Sequence, residues 1–163
     1  LKRHVVGFWV LLVATLIIDQ VVKQWTRANL SVGQSTNGPF PGFFEITHTE
    51  NKGIAFGMFQ GGGVFFAPVA IAIAIYAAYY SFKKQSEAWP LHVTMGLLAS
   101  GALGNLYDRL AHGKVTDMFW FRAIDFPVFN FADTCITIGA GMLILTNLLE
   151  GKADKVATPE KAS

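Results

Sequence analysis

The chain has 163 residues, 52% of them hydrophobic and 15% charged, and a net charge of +2. Soluble domains carry about 25% charged residues, so the composition is that of a membrane-embedded chain and not of a water-soluble globule. The weak positive balance gives no indication of nucleic-acid binding, and a single cysteine, Cys135, excludes an internal disulfide.

Lys2-Arg3-His4 precedes the apolar run Val5–Ile18, and helical spacing continues through Val21, Val22 and Trp25. Together they reach the roughly 20 residues that cross a bilayer core. No small-residue cleavage site follows, so residues 5–26 are read as a retained first span and not as a leader. Asp19 and Lys23 stand at i, i+4 on it, acid first, the better order for a helical ion pair. Residues 29–60 then form the one sizeable extramembrane segment. Gly33, Asn37-Gly38-Pro39 and Pro41-Gly42 are turn signals, and Phe43-Phe44-Glu45-Ile46-Thr47-His48-Thr49 predicts a strand. A small β-sheet between spans one and two is expected at the outer surface, with Phe40, Phe43 and Phe44 dipping into the interface. Asn51-Lys52-Gly53 reads as a turn.

No Asp, Glu, Lys or Arg occurs in Gly53–Phe82, Ala88–Tyr107 or Thr134–Leu149. These runs predict three further spans, at about 61–82, 88–109 and 129–149. The expected fold is therefore an α-helical polytopic membrane protein, four transmembrane helices with a small extracytoplasmic sheet. Residues 1–151 would form one domain, and 152–163 a polar, disordered tail. Ala70, Ala74 and Ala78, like Gly96, Ser100 and Gly104, recur every four residues and predict close helix packing. Lys2, Arg3, Lys83, Lys84, Lys152 and Lys155 fall on one side, which the positive-inside rule makes cytoplasmic, together with both termini. Arg27, Lys52, Arg109, Lys114 and Arg122 lie opposite, several beside acids, and read as site or surface residues.

Two acids stand out there. Asp117 closes the polar loop Gly113-Lys114-Val115-Thr116-Asp117, and Asp133 lies at the mouth of span four. A carboxylate at a membrane-helix centre costs roughly 2.5–3.5 kcal/mol, so such residues usually have a role or a partner. Two carboxyls in a low-dielectric site can share one proton and supply an acid and a base without a metal. Asn105, Asp108 and Arg109 share one face of span three, and Asn130 and Asp133 are i, i+3. That spacing fits a polar site and equally an interfacial ring of charges.

Rival chemistry is poorly served. His4, His48, His92 and His112 form no His-Glu-x-x-His pattern for zinc, and no histidine is placed to activate Ser100. Cys135 inside span four reads as a small hydrophobe. A transporter or proton channel would use buried acids too, but it calls for acids near the midplane and for internal repeats, which the sequence lacks.

Five motifs in order carry a resemblance. They are Asp19-Gln20-Val21-Val22-Lys23, Asn51-Lys52-Gly53-Ile54-Ala55-Phe56, Gly101-Ala102-Leu103-Gly104-Asn105-Leu106-Tyr107-Asp108-Arg109, Val115-Thr116-Asp117 and Phe129-Asn130-Phe131-Ala132-Asp133. The chain resembles the lipoprotein signal peptidases, also called signal peptidase II, over all but its tail. Ile54 stands where that family often has Ala, and Phe131 where it often has Leu. The resemblance implies an intramembrane aspartyl endopeptidase of the bacterial inner membrane, with its site near the extracytoplasmic face and Asp117 and Asp133 as the catalytic pair. It also implies that Asn51, Gly53, Asn105, Asp108, Arg109 and Asn130, with Asp19 and Lys23, line or brace that site. Diacylglyceryl-modified prolipoproteins would be the substrates and globomycin-type cyclic peptides the inhibitors. The expected enzyme is a monomer in contact with membrane lipid and needs no metal or other cofactor.

Overall fold

A computed structural model describes residues 2–36, 38, 40–53 and 67–157. Its elements in chain order are α1 (Arg3–Asn29), β1 (Glu45–Asn51), α2 (Ala67–Lys83), α3 (Trp89–His112), β2 (Val115–Trp120), a 3-10 turn (Arg122–Ile124) and α4 (Phe131–Ala157). Asn37, Pro39, the Ile54-Ala55-Phe56 end of the second motif and the expected start of span two lie outside the described residues.

Among the described residues two helices, Arg3–Asn29 and Phe131–Leu149, are long and apolar enough to cross a membrane, with mean hydropathies of 2.3 and 1.5. The described part of α2 is shorter, at 17 residues. Helix α3 falls below that hydropathy because its buried face carries His92, Thr94, Ser100, Asn105 and Asp108. Four crossings are thus not established by hydropathy. The outer faces still carry exposed Val10, Ile17, Ile75 and Ile144, an apolar exterior suited to lipid. Helix α4 also runs past Leu149 to Ala157, where an irregular tail was expected from Lys152. The added turns contain Ala and Lys, both strong helix formers.

Helix α3 is the centre of the bundle and packs on α1, α2 and α4. Near its start, Phe8 and Leu12 of α1, Ala77 of α2, and Met95 and Ala99 of α3 form an apolar cluster. His92 is buried here, with its Nδ1 2.7 Å from the Ser81 hydroxyl. At the other end small residues let helices close on one another. A Cβ added at Gly101 would lie 2.5 Å from the Ala132 carbonyl oxygen, and one at Gly104 would lie 2.5 Å from Asp19 Oδ2.

The sheet differs from expectation in where its strands come from. Gly33, Gly38 and Gly42 do take the positive φ angles that their turns require. Strand β1, however, forms its ladder antiparallel with β2, which follows α3, while the preceding segment adds only an isolated bridge from Ser35 to Thr47. Val115-Thr116-Asp117, the later part of the segment read as a polar loop, opens this second strand. Gly113, at φ 71°, ends α3 with its N–H on the Arg109 carbonyl and turns the chain directly into β2. Thr49 pairs with Asp117, and Ile46 with Phe119, so Thr47 and His48 together face Met118. Such a bulge kinks a strand and re-aims its side chains. Residues Gln34 and Thr36 bond the free edge of β1, and Phe129 bonds that of β2. Phe40 and Phe43 are exposed, whereas Phe44 turns inward onto Phe119 and Phe121.

Gly101→Ala should lower stability by about 1–3 kcal/mol, since the new methyl meets backbone that can relieve it only by parting α3 from α4. A thermal melt in detergent reads this as a lower Tm; an unchanged Tm would show that the two helices have room to spare.

Candidate active site

The site is built on a buried cation. Lys23 is fully buried, and its ammonium lies 2.9 Å from Asp19 Oδ2 and 3.4 Å from Asp108 Oδ2. It also donates to Asn105 Oδ1 at 2.9 Å. An ammonium has three protons, and three acceptors from α1 and α3 surround it. Each carboxylate then reaches further. Asp19 Oδ1 accepts the Ala132 N–H at 2.9 Å, which ties α1 to the first turn of α4. Asp108 Oδ2 accepts the Thr116 N–H at 3.0 Å, which ties α3 to β2.

Hydrogen-bond polarity carries this order to the two candidate acids. Lysine can only donate, so Asn105 must present its oxygen to Lys23, leaving its amide nitrogen to donate to Asp133 Oδ1 at 2.7 Å. The Asp133 N–H can likewise only donate, and it bonds Asn130 Oδ1 at 2.9 Å. Asn130 Nδ2 therefore faces the other way and donates to Asp117 Oδ1 at 2.6 Å and to Asn105 Oδ1 at 3.1 Å. The Asn130 N–H returns to Asp133 Oδ2 at 3.2 Å. The i, i+3 spacing noted in the sequence is thus a reciprocal cap on α4, with Asn and Asp in place of Ser and Glu. Asp133 also lies at the positive end of the helix dipole.

Asp117 stands on β2, not at the end of a helix, and is held from the opposite strand as well. Asn51 Nδ2 donates to its Oδ2 at 3.2 Å, while Asn51 Oδ1 accepts the Gly53 N–H at 3.0 Å. Arg109 Nη2 bonds the Gly53 carbonyl at 3.0 Å. The ten residues singled out from the sequence therefore gather at one place, in two tiers. Asn51, Asn105, Arg109, Asp117, Asn130 and Asp133 line a cavity of about 670 Å³. Asp19, Lys23, Asp108 and Gly53 stand behind it as braces. Apart from Thr134 and Thr137, the rest of the cavity wall is apolar, built from Ala70 and Ile73 of α2, Leu106 of α3 and Ile138 of α4, with Phe121 and Phe126 alongside.

Burial pushes the Asp117 carboxyl from its ordinary value up to about 7, and the neighbouring Asp133 charge adds to this. Hydrogen bonds from Asn130 and Asn51 and the charge of Lys23 oppose the rise. A carboxyl held near 7 can keep its proton at neutral pH and still release it, which is what acid–base work requires. Ser100 spends its hydroxyl on the Leu97 carbonyl of its own helix. Among the described residues, no three His, Cys, Asp or Glu side chains gather as metal ligands.

Some participants were missed in the sequence. Gln20 donates to Asp19 Oδ2 and to the Gly104 carbonyl, at 2.9 and 3.2 Å. Arg27, read only as a site or surface residue, reaches Asp108 and Thr116. Its i, i+4 spacing from Lys23 is the signal that places both cations on one face of α1.

An apolar helical exterior around two carboxyls on one cavity wall defines a membrane protein with a paired-acid site. Residues 11–149 match the family described as signal peptidase (SPase) II. A lipoprotein signal peptidase of Desulfitobacterium hafniense is 40% identical over 147 residues, covering 90% of this chain and 96% of the relative. One from Symbiobacterium thermophilum is 40% identical over 138 residues, covering 83% and 90%. A bacterial membrane enzyme solved in meso at 2.3 Å superposes with a TM-score of 0.82 at 33% identity, over 96% of this chain and 94% of that one. The chain belongs to the signal peptidase II family.

Lys23→Met should destabilise the protein by about 3–5 kcal/mol, because Asp19 and Asp108 would be left as buried charges without their shared cation. Chemical denaturation in micelles measures the loss; a near-native midpoint would mean that the ammonium is not what balances the two acids.

Proposed function

We propose that this chain is an aspartyl endopeptidase that removes signal peptides from diacylglyceryl-modified bacterial prolipoproteins, cutting before the lipidated cysteine. Asp117 and Asp133 are its catalytic pair. The observation that carries this is the Asn105–Asn130 relay, which fixes both carboxyls on one wall of an apolar cavity. Family membership supports the peptidase activity and the prolipoprotein substrate.

The environments of the two acids divide the labour. Asp133, at a helix N-terminus, acts as the base and takes a proton from the attacking water. Asp117 carries the shared proton and gives it to the scissile carbonyl oxygen as water oxygen bonds to the carbon. When the tetrahedral diol collapses, the C–N bond breaks, the proton on Asp133 passes to the departing amine, and one hydroxyl proton returns to Asp117. The products are the signal peptide's carboxyl end and a lipoprotein with a free amine on its lipidated cysteine. Arg109 and the site asparagines hold the substrate chain extended and steady the charge that develops on its carbonyl oxygen.

The apolar walls accept the acyl chains. Both bilayer and cavity are apolar, so the chains gain little by transfer and act mainly to set depth and orientation. In the bacterial inner membrane the chain crosses four times as a single unit over residues 1–151, with both termini and the polar end 152–163 in the cytoplasm and the pair near the outer face. It works as a monomer, and globomycin-type cyclic peptides occupy the same cavity.

Asp117→Asn and Asp133→Asn should each abolish turnover of a diacylated precursor in micelles while leaving the protein folded, since an amide keeps the shape but cannot pass the proton. Near-normal turnover by either variant would remove that residue from the pair. A matched precursor with an unmodified cysteine should be cut far more slowly, and equal rates would contradict the substrate assignment.

The pH profile supplies a separate check. The active form holds one proton on the pair, and raising the pH through about 7 removes it from Asp117, so kcat should fall on the alkaline side from there. A kcat still rising at pH 9 would be incompatible with a protonated Asp117.

A further inference from the structure

Asp117 is held at its carboxyl by Asn130 and Asn51, but the strand that presents it is held one residue earlier. Thr116 is buried and gripped twice: its N–H donates to Asp108 Oδ2 at 3.0 Å, and its hydroxyl oxygen accepts from Arg27 Nη1 at 3.0 Å. The same Arg27 nitrogen lies 3.5 Å from Asp108 Oδ1, an oxygen with no hydrogen bond of its own among the described residues. Arg27, Asp108 and Thr116 thus close a three-membered clamp that joins the last turn of α1, the end of α3 and the start of β2.

A cation in the last turn of a helix is ordinarily explained by the helix dipole alone. Three details go beyond that. The guanidinium reaches across to another element, it meets a fully buried carboxylate, and it engages the residue next to a proposed catalytic acid. Successive side chains on a strand point to opposite faces. Locking the Thr116 side chain on one face of β2 therefore sets the angle at which the Asp117 carboxyl leaves the other.

We infer that Arg27 is a positioning residue for the peptidase reaction, acting through Asp108 and Thr116 to hold Asp117 against its two asparagine donors. This rests on the reading of Asp117 as a catalytic acid. Arg27 touches neither substrate nor the reacting atoms; its effect is on where one carboxyl stands. Misplacement of a reacting group by an ångström can cost up to about a hundredfold in rate, and a clamp one residue away transmits part of that.

The experiment compares Arg27→Met, Arg27→Lys and Thr116→Val in the full chain, with a diacylated precursor in micelles, reading kcat, KM and the pH profile. Arg27→Met keeps the length of the side chain and removes its charge and donors. It should lower kcat on the order of tenfold while KM stays within about twofold. It should also move the alkaline limb upward, because a displaced Asp117 loses the Asn130 and Asn51 bonds that favour its charged form. Arg27→Lys should recover most of the rate. Thr116→Val should lose part of it, and adding Thr116→Val to Arg27→Met should cost less than the two losses combined, because both sever one contact. The inference is overturned if Arg27→Met keeps the wild-type kcat and pH profile. It is equally overturned if the rate falls only in step with the folded fraction while the alkaline limb stays in place. Turnover by Asp117→Asn in the same assay would instead bring down the reading of Asp117 on which the inference stands, so the two failures are told apart.

Discussion

A single buried ammonium organises this protein. Taking a lysine out of water costs several kcal/mol even after relaxation, and the same holds for each carboxylate beside it. Lys23 is tolerated because Asp19, Asp108 and Asn105 together use its three protons. The arrangement is unforgiving for that reason. Each partner has a second bond to a different element, so α1, α3, α4 and β2 share one register and cannot shift independently. Gly104 belongs to the same constraint, since only a residue without a side chain leaves room for the Asp19 carboxylate.

The bundle divides its labour along its length. Toward the start of α1 the helices meet through Phe8, Leu12, Ala77, Met95 and Ala99, a packing contact that needs no direction. Toward the other end they meet through charges and amides, which do have direction. Asparagine suits the relay because one end of its side chain accepts and the other donates, so the donor-only Lys23 ammonium and Asp133 N–H decide which way each amide faces. The result is two chemically alike side chains in unlike settings, one at a helix N-terminus and one on a strand between two amides. Such a difference lets a carboxyl pair serve as acid and base together.

Much of this was legible in the sequence because it is local. Charge-free runs marked the helices, the Asp19–Lys23 spacing marked an ion pair, and the i, i+3 spacing of Asn130 and Asp133 put both on one face at the start of span four. What escaped notice was non-local. Strand β2 is buried at four consecutive positions, so it shows no alternation to announce a strand, and its partner lies more than sixty residues away in the chain. Its Val, Thr, Phe and Trp content was the available signal, and the turn-like Gly113-Lys114 before it masked that signal. The polar face of α3 likewise serves the site at the expense of the hydropathy by which a span is recognised. Arg27 could be placed near the acids by its spacing from Lys23, but its grip on Thr116 depends on a strand that the spacing does not reveal.

The most direct test of the central claim is an infrared titration of the site's carboxyls in the intact protein, with isotope-labelled aspartate, for the wild type and for Asp133→Asn. A protonated carboxyl band should persist at pH 6 and disappear through about 7, and should titrate at lower pH once the Asp133 charge is removed. A wild-type protein with no protonated aspartate at pH 6, or a titration that Asp133→Asn leaves in place, would contradict a proton shared between Asp117 and Asp133.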